Sequence, residues 1–338
     1  MAVSVKDVAE AAGVSLGTVS HVLNHPERVS ERNRRRVEQA ILQLGYVRND
    51  VARQLRSGSS KTIALILLET WNPFFNDLAR GVEDVATESG WAVLAANSAR
   101  EPARESSYLN LFSERRVEGM IVIPTAGVTE QLRGLRAKGI ASVIADHYEE
   151  SPDQVFVSFD DVLGGQLATA HLIELGHRRI GFVGTSDSVE QVKQRFRGAA
   201  AAAAGSGVYL SRFTCGQLTL ADGQNVASRV LAMPEAERPT ALFAANDLLA
   251  LGILQVLLNA GVRVPDDIAL VGYDDIEFAR YAAVPLSSVV QPAYQMGRKA
   301  ADLLFMQLTR QLLETTHVVF EPHLVVRESS GPSTAMKF

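Results

Sequence analysis

The run Val5-Lys-Asp-Val-Ala-Glu-Ala-Ala-Gly-Val-Ser-Leu-Gly-Thr-Val-Ser-His-Val-Leu-Asn24 constrains this chain more than any other stretch. Val5, Val8, Ala9 and Ala12 recur at helical spacing and make one apolar face. Gly13 supplies the left-handed conformation that a tight helix stop requires. Ser15 has the chemistry of an N-cap for a second helix, whose inward face is Val19, Val22 and Leu23. Leu16, Gly17, Ser20 and His21 are left pointing outward. Two short helices around one such turn are the layout of a helix-turn-helix, whose second helix enters the major groove of DNA. An ordinary two-helix corner of a core would leave that outward face, and the basic helix that follows, without a role.

The third helix opens with Ser30-Glu-Arg-Asn33 as an N-cap signal and continues from Arg34 to Leu44. Val37, Ala40, Ile41 and Leu44 form its apolar stripe, Gly45 stops it, and Tyr46 is expected to pack back on the small core. Such a bundle buries little surface and is marginal alone. Arg34, Arg35 and Arg36 suit either phosphate contact or a solvated helix face. On the reading helix, Leu16 can touch a thymine methyl and His21 can donate to guanine, whereas Gly17 has no side chain and permits only close approach. The candidate DNA-contacting set is Ser15, Leu16, Gly17, Thr18, Ser20, His21, Asn24 and Arg28, with Leu55 further along. Around Leu55, Asn49 or Asp50 can cap a helix that Gly58 ends, too short to persist in isolation. Ser57-Gly-Ser-Ser60 reads as a joint.

Charge separates this head from the rest. The formal net charge is −5, but residues 1–60 hold nine basic against six acidic residues, and the remainder holds 24 against 32. Only the head suits a phosphate backbone. One cysteine, Cys215, excludes an internal disulfide framework. No apolar stretch reaches the length of a membrane span, and the N-terminus has no signal-like apolar core, so a cytoplasmic protein without a membrane partner is expected.

From Lys61 the texture becomes alternating strands and helices. Strands are expected at 62–68, 92–97, 119–124, 141–146, 156–159, 180–184, 241–245 and 268–273. Helices are expected at 74–89, 104–116, 163–175, 224–232 and 248–260. Continuous apolar strands such as Ile63-Ala-Leu-Ile-Leu-Leu68 suit parallel sheets covered on both faces, and their number exceeds one sheet, so two doubly wound α/β lobes are expected. Ligands in such sheets bind beyond the carboxyl ends of the strands. That rule nominates Trp71-Asn-Pro-Phe-Phe75, Asn97-Ser98, Asp146-His147, Thr185–Arg195, Asn246-Asp247 and Asp274-Asp275. Their polar and aromatic chemistry suits a sugar. Asp247 is expected to cap the helix from Leu248 while Asn246 faces the pocket. The seven histidines are dispersed, and the chain has no dinucleotide-binding glycine fingerprint, P-loop or Gly-x-Ser-x-Gly elbow. No catalytic residue, metal or cofactor is therefore expected.

The opening motif, Val51-Ala-Arg-Gln-Leu55 and the α/β body together resemble the lactose-repressor (LacI) family of bacterial transcription regulators. Further carriers of the resemblance, in the family's order, are Leu44-Gly-Tyr46, Asn72-Pro-Phe-Phe75, Leu175-Gly-His-Arg-Arg-Ile-Gly181, Val264-Pro-Asp-Asp-Ile-Ala-Leu-Val-Gly-Tyr-Asp-Asp275 and Leu324-Val-Val-Arg-Glu-Ser329. The resemblance implies a homodimer on a near-palindromic operator, hinge helices that fold on DNA, and Leu55 wedged into the minor groove, as apolar wedges bend DNA. It implies a body like a periplasmic sugar-binding protein, with crossovers near Asp161–Gly164, Val290–Pro292 and Pro322. The implied organisation is a head at 1–48, a hinge helix and linker at 49–60, and an effector and dimerisation domain at 61–338. Lobe 1 is then about 61–161 with 293–320, and lobe 2 about 162–290 with 323–330. The implied effector positions are Phe74, Phe75, Asp146, Arg195, Asn246 and Asp274. Leu218 falls where several members have a stacking aromatic, and the alanines at 199–204 imply loose packing of their helix.

The expectation is a repressor of double-stranded operator DNA controlled by a small effector, a sugar or sugar phosphate, with a purine or nucleoside as runner-up. The short tail after Arg327 has no zipper, which favours a dimer over a tetramer. Alternatives are a transport-linked sugar receptor, which lacks a use for the head, and a corepressor-dependent purine regulator. An NAD-dependent enzyme would need the missing dinucleotide loop.

Overall fold

The computed structural model describes residues 3–46, 60–125, 127–147, 153–186 and 189–331. The expected hinge helix with Leu55 lies outside the described residues. Two units make up the chain, Met1–Ser60 and Lys61–Phe338.

In the first unit, α1 (Val5–Ala12) starts at a capping box that the sequence reading missed. The Ser4 hydroxyl accepts from the Asp7 backbone N–H at 3.3 Å, and the Ser4 backbone N–H donates to the Asp7 carboxylate at 2.8 Å. α1 ends at Gly13 with φ +59°, the left-handed stop expected there. α2 (Leu16–Asn24) follows with Ser15 as its cap, accepting from the Thr18 N–H at 3.1 Å. α3 (Glu31–Leu44) opens after Ser30, where the N-cap signal is expected, and ends at Gly45. Ser30 occupies its N-cap position but forms no side-chain capping bond. Val8, Val19 and Val37 are fully buried between the three helices, and Tyr46 packs on them. Leu44 departs from expectation: it stands exposed in the last turn of α3.

The second unit contains two six-stranded sheets. The first has strand order β11-β5-β4-β3-β1-β2 and is wholly parallel. Its strands are β1 (Thr62–Leu67), β2 (Ala92–Asn97), β3 (Gly119–Val122), β4 (Ala141–Ala145), β5 (Val155–Phe159) and β11 (His317–Phe320). The second has order β12-β10-β9-β8-β6-β7 and is parallel except for the antiparallel β10–β12 pair. Its strands are β6 (Arg179–Gly184), β7 (Tyr209–Thr214), β8 (Ala241–Ala244), β9 (Ala269–Asp274), β10 (Ser287–Val290) and β12 (His323–Val325). The chain therefore passes between sheets three times: after β5, after β10, and between β11 and β12. Central strands are apolar on both faces, as helix-covered parallel sheets require. Ile63, Leu65, Phe182, Phe243 and Tyr273 are among the largest fully buried side chains. Each contributes roughly 1.5–3 kcal/mol of burial.

Four strands and several helices were not foreseen, for chemical reasons. β7 is a partly exposed edge reading Tyr-Leu-Ser-Arg-Phe-Thr. β10 is buried but starts with Ser287 and Ser288, whose hydroxyls are satisfied by the Arg327 carbonyl and the Asp247 carboxyl. A hydropathy pattern cannot register buried serines of that kind. The helix Ala293–Leu308 was missed too, and it packs against the helix Pro73–Glu88 on the first sheet.

The alanine-rich helix Glu190–Ala203 corrects the expectation of loose packing. It lies tightly on the helix Asp161–Glu174. A Cβ added at Gly198 would fall 2.0 Å from the Val162 carbonyl oxygen, and one at Gly165 2.0 Å from the Arg195 carbonyl oxygen. Small residues here bring two backbones together rather than leaving a gap. Among the described residues no helix is long and apolar enough to cross a membrane, and no His/Cys/Asp/Glu group could hold a metal ion.

Candidate functional site

The head presents one outward face on α2. Ser15, Leu16, Gly17, His21 and Asn24 are exposed there, with Arg28 exposed just beyond, while Thr18 and Ser20 are half-buried. Leu16 keeps 49% of its surface accessible, unusual for a leucine in a bundle this small and suited to an apolar contact with a base. The Ser15 and Thr18 hydroxyls bond each other at 2.9 Å, and the Asn24 amide donates to the Ser20 carbonyl at 2.7 Å. These polar groups hold the helix in shape before any DNA contact. The triple arginine of α3 is partly committed: Arg35 pairs with Glu31 at 2.5 Å, Arg34 lies 3.7 Å from Glu38, and Arg36 reaches the Gly13 carbonyl at 3.4 Å. Exposed pairs of this kind are weak and can yield to phosphate.

In the second unit, Phe74, Phe75, Asp146, Arg195, Asn246 and Asp274 line one cavity between the two sheets. Their placement follows the carboxyl-end rule. Asn72 caps the helix after β1 by accepting from the Phe74 N–H at 3.1 Å, which fixes Phe74 and Phe75 in the first turn. The two rings meet edge to face at 5.1 Å. Asp146 follows β4 with φ +55°, and Asp274 ends β9 with φ +102°. Both backbone conformations are costly for residues with a Cβ, and strain of this kind gathers at binding sites. Asn246 corrects the expected division of labour with Asp247. It caps its helix itself, accepting from the Leu249 N–H at 2.9 Å, while its amide holds the Leu218 carbonyl at 3.2 Å. Asp247 instead accepts from the Ile276 N–H at 2.9 Å and the Ser288 hydroxyl at 2.7 Å, pinning the loop after Asp274.

Arg195 is the hub. Its Nε donates to Asp161 at 2.7 Å, its Nη1 donates to the Ala245 carbonyl at 2.6 Å, and Asp274 lies 3.7 Å away. The guanidinium also stacks 3.7 Å over the Tyr273 ring. Burial works against its charge, but Asp161, Tyr273 and Asp274 outweigh that and raise its pKa. Asp161 accepts further bonds from Tyr273 at 3.1 Å and Gln291 at 3.3 Å. Asp161 and Gln291 stand in two of the three passages between sheets, so the pocket arginine is tied to the crossovers themselves. Burial pushes the Asp274 carboxyl up to about 7, opposed by Arg195 and by a 3.4 Å bond from the Asn72 amide. Burial first, then the charge of Asp161, raises Asp146 well above the usual carboxylate range.

Asn72, Arg100, Gln191 and Leu218 line the same cavity. Asn72 and Gln191 lay inside nominated post-strand segments but were not singled out, because one reads as a helix cap and the other as one polar residue among several. Arg100 stood just past a nominated pair. The Gln191 amide donates to the Asp146 carbonyl at 2.6 Å and bridges the lobes. The cavity is tight, about 30 Å³, room for roughly two waters. Across Gln191 and Asp146 it adjoins a wider recess of about 380 Å³ that reaches His147, Glu190, Arg197 and His317.

Comparison with known proteins decides the family. Residues 4–49 match the bacterial regulatory proteins of the lacI family, and residues 169–330 match the periplasmic binding protein-like domain. An HTH-type transcriptional repressor PurR of Aliivibrio fischeri (strain MJ11) is 34% identical over 331 residues, 96% of this chain and 98% of that protein. The chain belongs to the LacI family of bacterial regulatory proteins. The ribose operon repressor of Escherichia coli (strain K12) is 32% identical over 330 residues, 97% of this chain and 99% of its own length. A crystal structure of the lac repressor dimer bound to operator and the anti-inducer ONPF matches with TM-score 0.84 at 26% identity, covering 98% of this chain and 100% of that one. The chain is thus a DNA-binding transcriptional regulator with a ligand-binding-protein-like body, and its relatives are repressors, not enzymes.

Proposed function

We propose that this LacI-family chain is a cytoplasmic homodimeric repressor whose grip on operator DNA is set by a small hydroxyl-rich effector, a sugar or sugar phosphate, held between the two lobes. The observation that carries the reading is the convergence of Phe74, Phe75, Asp146, Arg195, Asn246 and Asp274 on one cavity at the strand ends. Phe74 and Phe75 offer apolar faces for a ring, and Asp146, Asn246 and Asp274 offer hydroxyl partners. Arg195 relays occupancy to the crossovers through Asp161. The cavity is too small for a sugar in this lobe arrangement, so binding requires the lobes to part. Two arrangements of unequal effector affinity are what a population-shift mechanism needs. In one, the hinge segments at 49–60 of the two subunits fold and present Leu55; in the other they separate and the head, residues 1–48, lets go. Ser15, Leu16, Gly17, Thr18, Ser20, His21, Asn24 and Arg28 carry the major-groove contacts. The body at 61–338 binds effector and partner subunit without catalysis.

A gel shift on DNA selected by the protein itself, with and without candidate sugars, tests the proposal. Deleting residues 1–60 should abolish binding; survival of binding would contradict the role of the head. Leu55→Gly should weaken operator affinity more than sugar affinity, and equal losses would count against a wedge.

A further inference from the structure

We infer that the body itself grips DNA: a basic rim at the strand-start end of the first sheet, made of Lys61, Arg115, Arg116 and Lys138, meets the phosphate backbone of the duplex that the head reads. The inference rests on the reading of residues 1–60 as a DNA-binding head and hinge, and adds a surface which that reading leaves out.

Three separate segments make the rim, and the fold brings them together. Lys61 stands immediately before β1, Arg115 and Arg116 shortly before β3, and Lys138 shortly before β4. These three strands are neighbours in the first sheet, and they begin at the end opposite the cavity. Glu118 stitches the segments to one another. Its carboxylate accepts from the Lys61 backbone N–H at 2.8 Å, its own N–H donates to the Thr62 carbonyl at 3.0 Å, and its carbonyl accepts from the Ala141 N–H at 3.3 Å. Lys61, Arg115, Arg116 and Lys138 are all exposed. Arg136, in the third segment, is half-buried and bound inward to Gln154 and Ser142. The carboxylates of these segments are Glu114 and Glu118, so the rim has a cationic surplus on a body with 24 basic against 32 acidic residues.

Several other surface arginines of the body are paired: Arg80 with Asp77, Arg133 with Glu130, Arg263 with Asp266 and Asp267, and Arg298 with Glu88. Arg115, Arg116 and Lys138 form no ion pair or side-chain hydrogen bond among the described residues. Arg115 and Lys138 are the C-caps of the helices Pro102–Glu114 and Thr129–Ala137, where a cation also complements the helix dipole. That role does not cover Arg116 or Lys61. Both hold left-handed backbone conformations, φ +55° and +47°, which glycine would adopt with less strain. The chain enters the body at Lys61, six residues beyond Leu55. Six residues span at most about 20 Å, so a hinge that seats Leu55 in the minor groove holds this rim close to the operator. Unpaired cations at that place are what a phosphate backbone attracts.

The salt dependence of operator binding measures the contact. Each phosphate neutralised by a cation contributes about −0.9 to the slope of log K against log salt. Full-length wild type and the triple variant Arg115→Gln, Arg116→Gln, Lys138→Gln are titrated by fluorescence anisotropy, from about 50 to about 200 mM salt, on a DNA fragment that the protein has itself enriched. The triple variant should show a slope shallower by at least about 2, so its affinity deficit should shrink at least about 16-fold across that range. Its preference among DNA sequences should stay unchanged, because phosphate contacts carry no sequence information. The charge-keeping triple Arg115→Lys, Arg116→Lys, Lys138→Arg should retain the wild-type slope. So should Arg263→Gln, which removes a cation near the start of β9 in the second sheet. A triple variant that melts like wild type and keeps its slope overturns the inference, and so does an equal loss of slope in Arg263→Gln. If the triple variant does not fold, Arg116→Gln alone decides: a slope change of at least about 1 supports the rim, and none overturns it. An unchanged slope leaves the head and hinge reading in place, whereas a wild type that binds no duplex removes that reading and the rim with it.

Discussion

Replacing Asp274 by Asn should remove a pH dependence from the stability of the body. Asp274 is buried, and its carboxyl is pushed from 3.8 to about 7. Burial is the first cause; Arg195 and the Asn72 amide oppose it, and the charges of Asp161 and Glu69 reinforce it. The folded state therefore binds this proton more tightly than the unfolded state does. The stabilisation from that proton is fully present below about pH 4 and is lost as pH rises through about 7. A shift of about three units is worth roughly 4 kcal/mol at 1.36 kcal/mol per unit. Roughly 3 kcal/mol of that falls between pH 5 and pH 8, so at about 2–4 °C per kcal/mol wild type should lose roughly 5–10 °C more than Asp274→Asn over that range. Asp146 and Asp247 also titrate high, and the charge of Asp274 is one cause of each shift, so the difference reports residue 274 together with its effect on these two neighbours. Circular-dichroism melts of both proteins across that range measure it. Parallel curves would refute the claim that Asp274 carries a raised pKa in the folded cleft.

Other substitutions probe the packing and the head. Gly198→Ala places a Cβ 2.0 Å from the Val162 carbonyl oxygen, a backbone atom that cannot swing aside; urea denaturation should register a loss of about 1–3 kcal/mol. Ser15→Ala removes the cap of α2 at a cost of about 1 kcal/mol, read as faster amide exchange across residues 16–24 and weaker operator binding. Arg195→Ala strands the buried Asp161 carboxylate and should cost roughly 3–5 kcal/mol of body stability by guanidinium denaturation. It should also erase the effector response of the operator complex; a fully responsive variant would remove Arg195 from the relay.

The helix-turn-helix was legible because its signals are local: a 3.6-residue apolar period, a glycine stop at Gly13 and a capping serine at Ser15. The two-sheet body was legible from its continuous apolar strands. What escaped depends on contacts distant in sequence. Ser287 and Ser288 sit in a buried strand because Arg327 and Asp247 satisfy their hydroxyls from about 40 residues away. The helix that carries the alanines looks weakly packed until Gly198 is seen pressed against the backbone of the helix Asp161–Glu174. The segments around the cleft could be nominated from the strand-end rule and the family resemblance. That Arg195 is already spent on Asp161, or that Asn246 both caps and lines the pocket, could not, since one residue's partners are not written beside it.

Operator affinity measured against cleft occupancy tests the link between the two units most directly. The full-length protein, on a DNA fragment it has itself enriched, is titrated by fluorescence anisotropy with and without a sugar or nucleoside already found to quench or raise its tryptophan emission. Saturating ligand should shift the operator Kd by about tenfold or more, a coupling of about 1.4 kcal/mol or greater, and Arg195→Ala should abolish the shift. A ligand that fills the cleft while the operator Kd stays constant would contradict a cleft that controls the head.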